Sequence, residues 1–212
     1  MSEQATIFLI DDDAGIRQSL STVLSMAGYK VQAFGSAESL LEALRNEQPN
    51  CLVLDLCMPG MDGLGVQQAL KKEGCLAPVI FISGDGTIPA TVRAVREGAI
   101  DFLEKPFRAE TLIDRIEEAL EADRRRREQE AERDHWRRLF RHLTPREREV
   151  MRLATQGLSN KEIARELGIS PRTVENHRAR VMEKMQAANI ADLCHRASAC
   201  FGSKREPIVR TQ

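Results

Sequence analysis

The stretch CLVLDLCMPGMDG, residues 51–63, carries four apolar residues into a carboxylate, Asp55, and then turns at Pro59, Gly60 and Gly63. A buried strand that ends on a charge needs partners for it, and these must come from elsewhere in the chain. Similar apolar runs are ATIFLI (5–10), YKVQAF (29–34), PVIFIS (78–83) and IDFL (100–103). Such near-continuous apolar strands need cover on both faces of a sheet. Between them lie helical patterns. Ile16, Leu20, Val23, Leu24 and Ala27 recur at helical spacing and stop at Gly28. Leu40, Leu41 and Leu44 do the same after Ser36, and Leu112, Ile113, Ile116 and Leu120 close the series. Five strands alternating with five helices predict an α/β, doubly wound, five-stranded parallel sheet over residues 1–122.

The whole chain of 212 residues has room for two ordinary domains, and its 42% hydrophobic content supports real cores. Its net charge of −1 conceals an asymmetry. Residues 1–123 hold 10 Lys and Arg against 20 Asp and Glu, whereas residues 124–212 hold 21 against 12. A basic half beside an acidic one points to a nucleic-acid partner for the basic half. The five cysteines, at 51, 57, 75, 194 and 200, form no C-x-x-C pair and are odd in number. That pattern favours neither a disulfide framework nor a zinc ribbon, and predicts mostly small buried hydrophobes in a reducing cytoplasm. No apolar run approaches the length of a membrane span, and MSEQAT lacks the basic start of an export signal. The expectation is a soluble, cytoplasmic protein that engages no membrane.

In an open parallel sheet, functional groups gather beyond the carboxyl ends of the strands. The first strand ends on Asp11-Asp12-Asp13, the third on Asp55 and the fourth on Ser83; the fifth is followed by Glu104-Lys105-Pro106. Carboxylates brought together repel one another unless a cation intervenes. A hard, oxygen-seeking ion such as Mg2+ suits them, because it takes one or two carboxylates and binds phosphate oxygens as well. With the ion and Lys105 in place, Asp55 can serve as a carboxylate nucleophile that takes up a phosphoryl group, with Ser83 hydrogen-bonding the new oxygens. A DDD triplet alone is an ordinary helix cap, and Lys-Pro alone is unremarkable; the ordered set, one part per strand end, is far less expected by chance.

LIDDD, LVLDLCMPGMDG, FISGDG and DFLEKPF together resemble the receiver domain of two-component response regulators. The resemblance implies a flavodoxin-like sheet in the order 2-1-3-4-5. It also implies Asp11, Asp12, Asp55 and the backbone carbonyl of Cys57 as ligands of Mg2+ or Mn2+, and Asp55 as phosphoacceptor. Ser83 and Lys105 would bind the phosphoryl group, and Ser83 and Phe102 would form the switch; a plain core phenylalanine is the competing reading of Phe102. Val92 and Val95, on the helix before the fifth strand, are candidates for a dimer contact and equally good as core residues.

From Asp123 to Arg138 the text reads DRRRREQEAERDHWRR, a charged linker that is either a solvated helix continuing the fifth one or a flexible tether. Good helix formers without Gly or Pro favour the helix. Residues 139–204 then carry dense helix punctuation. Thr144-Pro145-x-Glu147 and Ser159-x-x-Glu162 are capping boxes; Gly168 and Ile169 alone separate the second helix from Ser170-Pro171, which opens a third; Asn189 caps a fourth with Ile190, Leu193, Ala197 and Phe201 inward. Two helices joined by so short a turn in a basic region form a helix-turn-helix. On the third helix Val174, Val181 and Met185 should pack inward and leave Arg172, Glu175, Asn176, Ala179, Arg180 and Glu183 outward. Asn suits adenine, Arg guanine and Glu cytosine in the major groove. Lys161, Arg165, Arg172 and Arg178 suit phosphates.

LTPREREVMRLATQGLSNKEIARELGISPRTVENHRARVMEKM resembles the LuxR-type helix-turn-helix of the NarL/FixJ class of response regulators, in the style of FixJ-like members. This implies a small all-α, four-helix domain whose third helix reads DNA, with Thr173 and His177 added to the contact set and a last helix able to pair two copies. The implied whole is a transcription regulator and no enzyme beyond its own phosphotransfer. Its partners would be a sensor histidine kinase, promoter DNA, RNA polymerase and, on phosphorylation, a second copy. A Mg2+-dependent hydrolase and a protein-binding output are the rival readings. Residues 205–212 form a tail.

Overall fold

A computed structural model describes residues 4–84 and 101–201. The helix expected between the fourth and fifth strands, with Val92 and Val95, lies outside the described residues, as do residues 202–212. The strands are β1 (Thr6–Ile10), β2 (Lys30–Phe34), β3 (Cys51–Asp55), β4 (Val79–Ser83) and β5 (Asp101–Glu104), each within one residue of the expected bounds. All pairings are parallel, in the order β2-β1-β3-β4-β5. The intervening helices are α1 (Ala14–Met26), α2 (Ala37–Ala43) and α3 (Gly63–Lys72), and α4 (Ala109–Arg141) follows β5.

Every residue of β1, β3 and β4 is buried, and their side chains alternate between two cores. On one face Ile7, Leu9, Val53, Ile80 and Ile82 pack with Leu20 and Leu24 of α1 and Leu112 and Ile116 of α4. On the other, Phe8, Ile10, Leu52, Leu54 and Phe81 pack with Leu40 of α2 and Leu64, Val66 and Leu70 of α3. Helices on both sides explain why these strands read as unbroken apolar runs. The first helix starts where Asp13 caps it, accepting from the Gly15 and Ile16 N–H groups, and the chain leaves it through Gly28 at φ +95°.

The charged stretch from Asp123 to Arg138 is helical, part of the 33 residues of α4. It is held by ion pairs within the helix, among them Arg124–Glu121 and Arg126–Glu130, both at 2.9 Å, each stabilising it by about 0.2–0.5 kcal/mol. No described helix is long and apolar enough to cross a membrane. The chain divides into two compact units, one ending at Arg125 and the other starting at Arg126.

The second unit is all helical: the end of α4, then α5 (Pro145–Thr155), α6 (Asn160–Leu167), α7 (Pro171–Lys184) and α8 (Ile190–Phe201). Both capping boxes are present, Thr144 with Glu147 and Ser159 with Glu162; Gly168 closes α6 in the left-handed conformation and Ser170 caps α7. Asn189 Oδ1 accepts from the Asp192 N–H at 2.9 Å, so it caps α8 as expected. Two corrections apply. Ile190 is 42% exposed and not inward, because side chains lean toward the helix N-terminus and the first residue of α8 leans past the edge of the bundle. Of the five free cysteines only Cys51 and Cys75 are buried; Cys57 is exposed, and Cys194 and Cys200 are half-buried along the face of α8.

Glu147 fastens this unit. It is 1% exposed, and its Oε2 accepts from the Thr144 N–H at 2.8 Å and from Lys184 Nζ, at the far end of α7, at 2.6 Å. Burial pushes its pKa up, but the Lys184 ammonium and the Thr144 cap outweigh burial and hold it below its ordinary 4.5. A carboxyl lowered in the native state contributes stability that is fully present above its unfolded pKa and lost as pH falls through the native value. Glu147→Gln should therefore lower stability near pH 7 by about 1.5–3 kcal/mol and flatten the loss that the parent shows as pH falls below the ordinary carboxyl range. The single tryptophan, Trp136, is buried in this unit, so its fluorescence during urea unfolding reads the effect.

Candidate functional site

The carboxyl ends of β1 and β3 are neighbours in the sheet, and each leaves an acid there. Asp11 is 0% exposed and Asp55 5% exposed, whereas Asp12 is exposed. One ammonium joins the buried pair: Lys105 Nζ donates to Asp11 Oδ2 at 2.7 Å and to Asp55 Oδ2 at 3.0 Å. Lys105 follows β5, and its backbone N–H donates to the Ser83 carbonyl at 2.7 Å, which ties its start to the end of β4. The Lys105–Pro106 peptide is cis. The remaining oxygens of the two acids are used locally: Asp11 Oδ1 accepts from the Asp13 N–H at 2.9 Å, and Asp55 Oδ1 accepts from the Cys57 N–H at 3.2 Å.

Burial pushes the Asp55 carboxyl above its ordinary pKa, more than the Lys105 ammonium and the Cys57 N–H bring it down, and the charge on Asp11 adds to the rise. Burial acts on Lys105 in the opposite direction, but its hydrogen bonds to Asp11 and Asp55 outweigh it and raise its pKa, so the ammonium stays charged. The site is thus short of positive charge. Asp11, Asp12 and Asp55 each offer a carboxylate oxygen, all within 4.8 Å of one another. A set of hard oxygen donors with an excess of negative charge fits Mg2+ or Mn2+, which accept carboxylate and retain water.

Ser83 is fully buried at the end of β4, with its hydroxyl 3.7 Å from Cys57 Sγ. Phe102 is half-buried in β5, opposite Phe81 in register and packed against the core that contains Phe8 and Phe81. Asp11, Asp12, Asp55, Cys57, Ser83 and Lys105 therefore share one rim, as their places at strand ends predict. Gly63 is a further requirement that its motif did not explain. A Cβ there would lie 2.5 Å from the Asp55 carbonyl oxygen, 2.9 Å from the Phe81 ring and 3.0 Å from Leu56 Cα, so the start of α3 presses on the strand end that carries Asp55.

In the second unit α7 and its C-cap bury Val174, Val181 and Met185, and α7 exposes Arg172, Glu175, Asn176, Ala179, Arg180 and Glu183, the division expected from spacing. Lys161 and Arg165 on α6 are exposed too. Two candidates, Thr173 and Arg178, have duties inside the fold, and a third is partly covered. Thr173 is half-buried with its hydroxyl 2.8 Å from that of Ser170, the α7 cap. Arg178 Nη1 donates to Asn160 Oδ1 at 3.0 Å, joining α6 to α7. His177 is half-buried.

Residues 7–117 match the response regulator receiver domain, and residues 141–197 match the luxR family of bacterial regulatory proteins. Nodulation protein W of Bradyrhizobium diazoefficiens is 43% identical over 211 residues, covering 100% of this chain and 92% of that protein. The transcriptional regulatory protein FixJ of the same organism is 42% identical over 193 residues, covering 91% of this chain and 94% of that one. Among solved structures, the response regulator StyR superposes with a TM-score of 0.75 at 42% identity, over 92% of this chain and 99% of that chain.

The contact at Gly63 yields a direct expectation. Gly63→Ala must push β3 or Phe81 aside and should destabilise the sheet unit by about 1–3 kcal/mol. Urea unfolding followed by circular dichroism measures it, and an unchanged midpoint would mean that α3 shifts freely.

Proposed function

The chain belongs to the response regulators that join a receiver domain to a LuxR-type DNA-binding domain, and from that premise we propose that a sensor histidine kinase phosphorylates Asp55 and that phosphorylation promotes pairing of two copies on promoter DNA. As a class such a chain is a phosphorylation-regulated transcription regulator and not a conventional enzyme. The finer assignment gives the receiver residues 1–122, a linker 123–138 and the DNA-binding domain 139–204.

The observation that carries the reading is the single ammonium of Lys105 bonded to both Asp11 and Asp55. A carboxylate nucleophile must be desolvated without losing its charge, and the arrangement sets the two demands against each other: burial strips water from Asp55 while the Lys105 ammonium favours its ionised form. In the proposed transfer an Asp55 oxygen attacks the phosphorus of a phosphohistidine; the O–P bond forms as the P–N bond breaks, and the departing imidazole takes up a proton. Asp11, Asp12, Asp55 and the Cys57 carbonyl would hold Mg2+ or Mn2+, which supplies charge neutralisation of the phosphoryl oxygens. Lys105 then contacts the transferred group, and the Ser83 hydroxyl turns toward it and donates a hydrogen bond.

That movement is the proposed start of the signal. Ser83 and Phe102 lie on adjacent strands β4 and β5, so a shift of one opens or fills space for the other. The reshaped face would favour the dimer, and two copies of α7 would then meet the two half-sites of a symmetric operator. Glu175, Asn176 and Arg180 are the proposed readers, with Lys161, Arg165, Arg172 and Arg178 on phosphates and Thr173 and His177 supporting them. RNA polymerase is the proposed downstream partner.

Two expectations test this. Acetyl phosphate with Mg2+ should give the parent a hydroxylamine-sensitive phosphoryl label, a doubled mass by light scattering and tighter promoter binding; Asp55→Asn should give none of these, and a label that persists would move the acceptor elsewhere. Asn176→Ala should cost about 1–3 kcal/mol at the cognate site and relax preference at one base pair, measured by binding to a set of single-substituted duplexes. Equal weakening on every sequence would remove Asn176 from the reading set.

A further inference from the structure

The loop that carries Asp11 and Asp12 leaves two main-chain carbonyls outside both sheet and helix. Sheet pairing of β1 stops at Ile10 and α1 begins at Ala14, so the carbonyls of Asp11 and Asp12 belong to neither ladder. Both are met by one side chain. Arg17, one turn into α1, donates from Nη1 to the Asp11 carbonyl at 2.7 Å and to the Asp12 carbonyl at 2.9 Å. Its guanidinium lies flat against Gly35, just beyond β2: a Cβ on Gly35 would stand 3.3 Å from Arg17 Cζ and 3.4 Å from each terminal nitrogen. The loop is otherwise held by the Asp13 cap on α1 and by the Asp11 N–H on the Phe34 carbonyl at 3.3 Å.

We propose that Arg17 is a positioning residue for the divalent-cation site, fixing the main chain of Asp11 and Asp12 so that their carboxylates converge with Asp55, and that Gly35 is side-chain-free to admit it. The inference rests on the reading of the acid cluster as a cation site. Two features make Arg suitable there. Its planar, permanently charged head can bond adjacent carbonyls, and its positive charge stands behind acids that repel one another, without taking up the carboxylate oxygens an ion would need. Outer residues that orient metal ligands typically matter by 10–100-fold in affinity.

Isothermal titration of Mg2+ into the full chain tests it, with Arg17→Ala and Gly35→Ala beside the parent. Arg17→Ala should weaken Mg2+ at least about tenfold. Phosphoryl labelling should fall at low Mg2+ and recover as Mg2+ is raised, a change in the metal requirement that a general loss of stability would not produce. Gly35→Ala keeps the charge but presses the guanidinium aside by a few tenths of an ångström, so it should weaken Mg2+ in the same sense, by less than Arg17→Ala, and gives the readout if Arg17→Ala does not fold. Hydrogen exchange without metal should be faster at the Asp13 amide, which the Asp11 carboxylate holds in the parent. Mg2+ affinities within twofold of the parent for both variants would overturn the role of Arg17 and leave the site reading intact. A parent that binds no Mg2+ would instead overturn the site reading and the inference with it.

Discussion

Three carboxylates within 4.8 Å of one another, two of them buried, form the constraint on which the first unit is organised. Left alone they would take up protons or drive the loops apart. The strand order β2-β1-β3-β4-β5 puts Asp11 and Asp55 side by side, and the backbone of Lys105, bonded to the end of β4, starts its side chain from the rim they share. One ammonium then serves both acids. The close packing of Gly63 against the Asp55 carbonyl holds the end of β3 from behind. The apolar strands are what make this costly arrangement hold: with every residue of β1, β3 and β4 buried, the ends of those strands cannot drift.

Under the proposed function, the residual charge is what gives a phosphoryl group leverage here. Among the described residues the Lys105 ammonium is bonded to two of the three acids and Arg17 only to the main chain behind them, and burial raises the Asp55 pKa despite the lysine. A divalent cation relieves that excess, and a phosphoryl group on Asp55 would restore it in a new place, with new acceptor oxygens. Ser83 is buried within reach of the rim, and Phe102 lies on the strand beside it. Under the proposed function, electrostatic change at one atom would pass from there to an aromatic ring packed on the core, where packing permits a small number of discrete arrangements.

The parts of this legible in the sequence were those set by a repeated local rule. Strand and helix alternation, the acids and Lys105 at strand ends, the capping boxes at Thr144 and Ser159 and the two faces of α7 all follow from period, punctuation or position after a strand. What escaped depends on distance across the fold. Gly63 reads as one more turn glycine, yet it is needed because Asp55 and Phe81 crowd it. Arg17 reads as a polar residue on an amphipathic helix, yet it reaches back to two carbonyls. Lys184 stands 37 residues from Glu147, and nothing local marks the pair. Ile190 failed for a complementary reason: periodicity assigned it a face but could not see that the bundle ends beside it.

The second unit constrains how regulation can work. The proposed reading helix is held without any signal: Ser170 caps the start of α7, Lys184 at its end is bonded to the buried Glu147, and Arg178 ties its middle to α6. A helix held at both ends and in the middle has little left to gain from being remodelled, so under the proposed function the phosphoryl group must act on how many copies are presented together. Pairing is a sufficient lever, since two linked half-site contacts exceed either alone by orders of magnitude without any new contact on the reading face. The switch and the reader can then be built to opposite specifications, the first from a charged pocket that tolerates two arrangements and the second from a bundle fixed in one.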